Sequence, residues 1–197
     1  IIEADLRNPD KVANAVADVD IVFHQAAFVS VPLSVENPPA CLATNVHGVE
    51  TLLEAAQKAG VRRVVMASSA AVYGESQDFP LQEKGETMSL SPYAASKRIN
   101  EIYADLYTRS TDMDVTALRY FNVYGPRQSP QSDYAAVIPI FIHRLLEGKA
   151  ATIHGDGLQS RDFVFVDDVA RANLIAADTP QAAGEIINIC SGEEITI

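Results

Sequence analysis

Cysteine is scarce in this sequence: Cys41 and Cys190 are the only two, far apart and without paired spacing. That excludes a disulfide framework, argues against a zinc site and accords with a reducing, cytoplasmic setting. Long apolar runs are absent too. The longest, Ala135 to Ile142, is far below the roughly 18 residues needed to cross a bilayer, and Pro139 interrupts it, so no membrane span is expected. Positive charge is in deficit, with 15 basic against 26 acidic residues and a net charge of −11. No basic stripe with interleaved aromatics appears, which argues against a nucleic-acid partner. A phosphate ligand would have to be held by a few local cations and backbone N–H groups, against the overall field. His24, His47, His143 and His154 do not cluster at metal-ligand spacing, and no metal is expected. No leader pattern opens the chain, Ile1 stands first, and Glu194 to Ile197 stop where an element would begin, so both ends are expected to be cuts.

What is present fits one ordinary globular domain: 197 residues, 48% of them hydrophobic, without repeats or low-complexity segments. Ile21-Val22-Phe23 and Val64 to Ala67 are short apolar runs of the kind buried on both faces of a parallel sheet. Between them, Ala40 to Ala59 carries apolar residues at helical spacing and ends at Gly60, a C-cap, giving a β-α-β unit. Ser91-Pro92 supplies an N-cap and a first-turn proline for a helix reaching about Arg109. Further on, the pattern predicts a strand at Val115–Tyr120, a helix at Val137–Glu147, a short strand at Thr152–His154, a helix near Val166–Ala177 with Asp167-Asp168 as its N-cap, and a strand near Ile186–Ile189. The alternation implies an α/β fold with a doubly wound, mostly parallel sheet, whose ligands bind beyond the C-terminal ends of its strands.

Ser68 and Ser69 follow one such strand, and Asn122 lies two residues past another. Tyr93 and Lys97 are spaced i, i+4 near the start of the Ser91-Pro92 helix and share one face. A tyrosine ionises near pH 10, too high for a base at neutral pH, but an adjacent ammonium and a helix N-terminus favour the phenolate. The alternative is a surface Tyr and Lys on an amphipathic helix; Ser69 at a strand end weighs against it.

S-S-A-A-V-Y-G at Ser68–Gly74, S-P-Y-A-A-S-K at Ser91–Lys97 and R-Y-F-N-V-Y-G-P-R at Arg119–Arg127 resemble the extended short-chain dehydrogenase/reductases in order and spacing. Further similarities are A-D-L-R at Asp5, H-Q-A-A at His24–Ala27, N-V-H-G-V at Asn45–Val49 and G-D-G-L-Q-S-R-D-F at Gly155–Phe163. The resemblance implies a Rossmann-like core over residues 1–125, with its first β-α-β unit missing, and a nucleotide-sugar-binding region over 126–197, interleaved with the last core strands and incomplete. It implies NAD as cofactor and a catalytic set of Ser69, Tyr93 and Lys97, with Ser69 bonding the sugar hydroxyl and Tyr93 taking its proton. Asp5 would contact adenosine, Leu6 would lie against the adenine, Ala26 and Ala27 would line the diphosphate, and Asn45 and Tyr120 would complete the cofactor side. Lys97 would also hold the nicotinamide ribose. Asn122 and Arg161 match ligands of the substrate diphosphate, and Val137, Thr152 and His154 fall where the family cradles the uracil nucleoside. From the residues alone, Arg161 could instead be a structural partner of Asp162, and Ala26 and Ala27 could serve tight packing.

Reactions on this scaffold diverge after oxidation at C4. Related 4,6-dehydratases place an Asp-Glu pair after the serine and decarboxylases commonly a Glu; here Ala70 and Ala71 stand there and can transfer no proton. The resemblance therefore implies a 4-epimerase, with UDP-sugars as the leading substrates and a homodimer built on the helices at Ala40–Ala59 and Tyr93–Arg109. Leu53, Ile99 and Ile102 are candidates for its outward faces. The family's glycine-rich phosphate turn is not in this chain, and without it NAD binding is expected to be poor. Competing readings are a reductase or dehydratase of the same scaffold and a non-catalytic relative.

Overall fold

Four apolar strands build one parallel sheet. The computed structural model describes residues 1–131, 136–153 and 155–197. After α1 (Pro9–Val16), capped by the Asn8 side chain, come β1 (Ile21–His24), α2 (Val31–Glu36), α3 (Pro38–Leu42) and α4 (Gly48–Ala59). β2 (Arg63–Ser69) runs into a 3-10 turn at Ala70–Tyr73, followed by α5 (Pro92–Ser110) and β3 (Asp114–Tyr120). The remainder comprises β4 (Asn122–Tyr124), α6 (Val137–Leu146), β5 (Ser160–Arg161), β6 (Phe163–Phe165), α7 (Val166–Asp178), β7 (Ile186–Ile189) and β8 (Ile195–Thr196).

The main sheet has the order β1-β2-β3-β7, every pair parallel, with Ser69 opposite Tyr120 at its C-terminal edge. β4 pairs with β6 in parallel and β5 with β8 antiparallel, two small sheets beyond that edge. Alternate residues of β2 face opposite cores. Val64 and Met66 pack with Val12, Val49, Leu53 and Val115 under α1, α4 and α5, whereas Val65 packs with Leu118, Ala176 and Ala177 under α7. This double burial explains why the strands read as apolar runs rather than as alternation.

The caps predicted at Ser91 and Gly60 are found. The Ser91 side chain accepts a hydrogen bond from the Ala94 N–H, and Gly60 takes the left-handed φ of 77° that ends α4. Four expectations need correction. Ala40–Ala59 is not one α-helix: Ala43–His47 forms a π-helical turn between α3 and α4, where Asn45 reaches sideways to the Phe28 backbone. Thr152 and Ile153 lie in no strand, and His154 lies outside the described residues. Phe165 is the N-cap of α7, so Asp167 and Asp168 occupy the first turn, where they meet the helix dipole rather than cap it. Leu53 faces the core with no exposure, leaving Ile102 and Leu106 as the apolar residues that α5 turns outward.

Candidate active site

β2, β3 and the loop after β1 end on the same side of the sheet, and α5 starts there. Between these ends and the small sheets lies a cleft of about 740 Å³, whose walls include Ala27, Ser69, Tyr93, Lys97, Tyr120, Asn122, Val137, Thr152 and Arg161. Residues as far apart in sequence as Gln25 and Ile197 thus share one cavity. Two smaller apolar clefts lie against α6, away from Ser69, Tyr93 and Lys97. No carboxylate side chain appears among the described residues lining the large cleft.

Lys97 is 2% exposed and donates to the Ala67 carbonyl oxygen at 2.8 Å, with its ammonium 5.9 Å from the centre of the Tyr93 ring. Burial pushes this lysine down to about 8. Burial also pushes the Tyr93 phenol above its ordinary value, with the Ser69 hydroxyl pulling the other way. Burial thus acts against the charged forms of both Tyr93 and Lys97, and the Ser69 hydrogen bond acts for the phenolate. Ser69 caps the 3-10 turn by accepting from the Ala71 N–H at 3.1 Å, which holds the methyl groups of Ala70 and Ala71 beside the serine.

Tyr120 is engaged on both sides of its hydroxyl. It accepts from Asn173 Nδ2 at 2.7 Å, and Asn173 Oδ1 and Gln25 Oε1 lie within 3.2 Å as acceptors for its proton. Gln25 and Asn173 were missed by the sequence reading; their only signal was the position of Gln25 inside H-Q-A-A. Asn122 donates through Nδ2 to the Asp162 carbonyl at 2.9 Å, tying β4 to the chain before β6. Arg161 is exposed and donates to the Ser160 carbonyl, whereas Asp162 accepts from Ser191 and Gly192, so the Arg161–Asp162 pairing is absent.

The other cofactor-side candidates stand apart from the cleft walls. Asp5 forms a bidentate pair with Arg7, whose side chain holds the Asp5 carboxyl well below the usual carboxylate range. Leu6 packs against the core beside Gly48, where an added Cβ would meet its Cδ2 at 2.9 Å. Ala26 is exposed in the loop after β1, so tight packing is not its role. Asn45 is buried and acts on that loop: it accepts from the Phe28 N–H at 2.7 Å and donates to the Phe28 carbonyl and Ser96 Oγ, each at 3.0 Å. Among the described residues there is no metal-binding group of His, Cys, Asp and Glu, and no helix is long and apolar enough to cross a membrane.

Comparison with known proteins agrees with this geometry. The model of the NAD dependent epimerase/dehydratase family matches residues 1–190. A UDP-glucose 4-epimerase from Mycolicibacterium smegmatis is 43% identical over 176 residues, which cover 89% of this chain and 56% of that protein. The structure of a UDP-N-acetylglucosamine 4-epimerase from Methanobrevibacter ruminantium M1, in complex with UDP-N-acetylmuramic acid, superposes with a TM-score of 0.96 at 42% identity, over 100% of this chain and 63% of that one. A Thermus thermophilus UDP-glucose 4-epimerase in complex with NAD gives a TM-score of 0.89 at 38% identity, over 99% of this chain and 64% of that one. The chain therefore spans between 56% and 64% of the length of these relatives.

Proposed function

The chain belongs to the NAD dependent epimerase/dehydratase family, and from that membership we propose that the protein carrying it is a 4-epimerase of a UDP-hexose, inverting C4 through a transient 4-keto sugar. The observation that carries this reading is the lack of any carboxylate among the described residues of the cleft wall, together with Ala70 and Ala71 beside Ser69. Elimination of water requires an acid and a base at the neighbouring carbons. Among the described residues of this cleft a ketone meets neither at those carbons, and the course they leave is reduction at C4 from either face.

The chain's residues fit NAD. Lys97 uses one donor on Ala67 and retains two N–H groups at the cleft wall, and the small side chains of Ala26 and Ala27 leave the loop after β1 open to close approach. When bound, NAD supplies a reversible two-electron acceptor for the C4–H bond. Lys97 would hold the ribose beside it, Tyr120 would wall the nicotinamide end, Asp5 and Leu6 would serve the adenosine, and Asn45 would fix the loop that carries Ala27. On the substrate side, Ser69 positions the C4 hydroxyl and Tyr93 receives its proton. Burial works against the Tyr93 phenolate, and the hydrogen bond with Ser69 works for it. Asn122, Val137 and Thr152 line the opposite wall, and the Arg161 guanidinium suits diphosphate oxygens. The protein is proposed to act as a homodimer in a reducing, cytoplasmic setting.

Product analysis of the full-length protein carrying this chain tests the reading. Incubation with UDP-glucose, and then with UDP-N-acetylglucosamine, is expected to give the C4-inverted sugar without net formation of NADH. Accumulation of a keto-sugar or stoichiometric NADH would replace the epimerase with a dehydratase or an oxidoreductase of the same family.

A further inference from the structure

Glu101 lies four residues after Lys97 and eight after Tyr93 on α5, the spacing that puts all three on one helix face. It is 1% exposed, and its two oxygens receive four hydrogen bonds: from Ser68 Oγ at 2.7 Å, Arg119 Nε at 2.7 Å, Arg119 Nη2 at 2.9 Å and Arg98 Nη1 at 3.0 Å. Ser68 and Arg119 are register partners on β2 and β3; Ser68 itself lines the cleft, and each immediately precedes a further residue of its wall, Ser69 and Tyr120. The guanidinium of Arg119 continues the connection. Its Nη1 donates to Tyr73 Oη at 2.7 Å and to the Glu83 carbonyl at 3.2 Å, and Tyr73 donates in turn to Asn188 Oδ1 on β7 at 2.7 Å. Tyr73 closes the turn that carries Ala70 and Ala71.

We propose that Glu101 is the positioning residue of this site: its buried carboxylate locks the helix bearing Tyr93 and Lys97 to the strand ends bearing Ser69 and Tyr120, an inference that rests on the reading of Ser69, Tyr93 and Lys97 as the reacting set. Neither Glu101 nor Arg119 lines the cleft, so neither reaches a ligand there, and both act through their neighbours. The choice of chemistry follows from the task. Apolar packing alone tolerates a helix sliding over strand ends, whereas charge-assisted bonds are short and directional and admit one register. Proton transfer between a sugar hydroxyl and Tyr93 is sensitive to such register, since a displacement of about 1 Å at a reacting centre costs on the order of 100-fold in rate.

The test uses the full-length protein and two variants that fail differently. Glu101→Gln leaves Arg119 without its carboxylate and is expected to lower both kcat and Tm. Ser68→Ala removes one of the four donors and leaves the Arg119–Glu101 pair in place. It is expected to lower kcat for C4 inversion roughly 10-fold, with KM within about two-fold and Tm unchanged, and Ser68→Thr restores the rate. The double variant is expected to be no slower than Glu101→Gln alone, because both changes break one network; additive losses would mean that Ser68 acts on the ligand directly. Wild-type kcat in Ser68→Ala, or a rise confined to KM, overturns the proposal. If the wild-type protein inverts no UDP-sugar, the functional reading fails, and amide hydrogen exchange on the same variants judges the positioning separately. Faster exchange at residues 68–73 and in the first turns of α5, with α7 unchanged, supports the locking role, and unchanged exchange there refutes it.

Discussion

Burial governs the ionisable groups around the cleft. Tyr93 is pushed up, Lys97 is pushed down to about 8, and His24, the last residue of β1, is pushed down to about 4 by burial, with the nearby Lys97 charge adding to the effect. His24 is 4% exposed, and its Nε2 has no hydrogen-bond partner, so protonation in the folded state is costly. An unfolded chain binds a proton on this imidazole below its ordinary value of 6.5, and the folded chain only below about 4. Between those values the unfolded state holds more protons, so stability falls as the pH drops through the window. Lowering the pH from 7 to 5 is expected to cost roughly 2 kcal/mol through this group, and His24→Leu to remove that part of the loss. Denaturant unfolding of the two proteins at both pH values checks it, and parallel losses would exclude His24 as the cause.

The most consequential departure from regular secondary structure is the π-helical turn at Ala43–His47. A helix with one residue too many in a turn costs regular hydrogen bonds, and here the excess directs buried Asn45 onto both backbone polar groups of Phe28 and onto Ser96 of α5. The loop after β1, with Ala27 and Val29 on the cleft wall, is thereby stitched to two helices. Asn45→Ala leaves the Phe28 N–H and carbonyl without these partners and is expected to destabilise the protein by about 2 kcal/mol, measured by denaturant unfolding. Retained stability would mean that the loop is held by packing alone. Local sequence announced the regular parts of these elements: Ser91-Pro92 marks the start of α5 and Gly60 the end of α4, because capping needs only neighbours. The π turn carried no such mark, because its cause, the Phe28 backbone, lies 17 residues away.

At the scale of the whole molecule, α5 turns Ile102 and Leu106 outward with 54% and 51% of their surface exposed, an apolar strip beside the charged pair Asp105–Arg109. The proposed dimer would bury this strip. The full-length protein is expected to sediment as a dimer at micromolar concentration, and the double variant Ile102→Asp, Leu106→Asp as a folded monomer; an unchanged dimer would move the interface elsewhere. The sequence by itself determined the parallel α/β architecture, since strands buried on both faces must read as apolar runs and helices between them as periodic ones. It also determined the chemistry available beside Ser69, because the methyl groups of Ala70 and Ala71 transfer no proton in any fold. Only the tertiary structure decided that Ala27, Tyr93 and Arg161 face one cleft, that no carboxylate joins them among the described residues, and that Tyr93 and Lys97 are both driven toward neutrality. It likewise gave Glu101 its place at the junction of α5, β2 and β3. Cavity walls and desolvation arise from residues distant in the chain, and neither spacing nor composition encodes them locally.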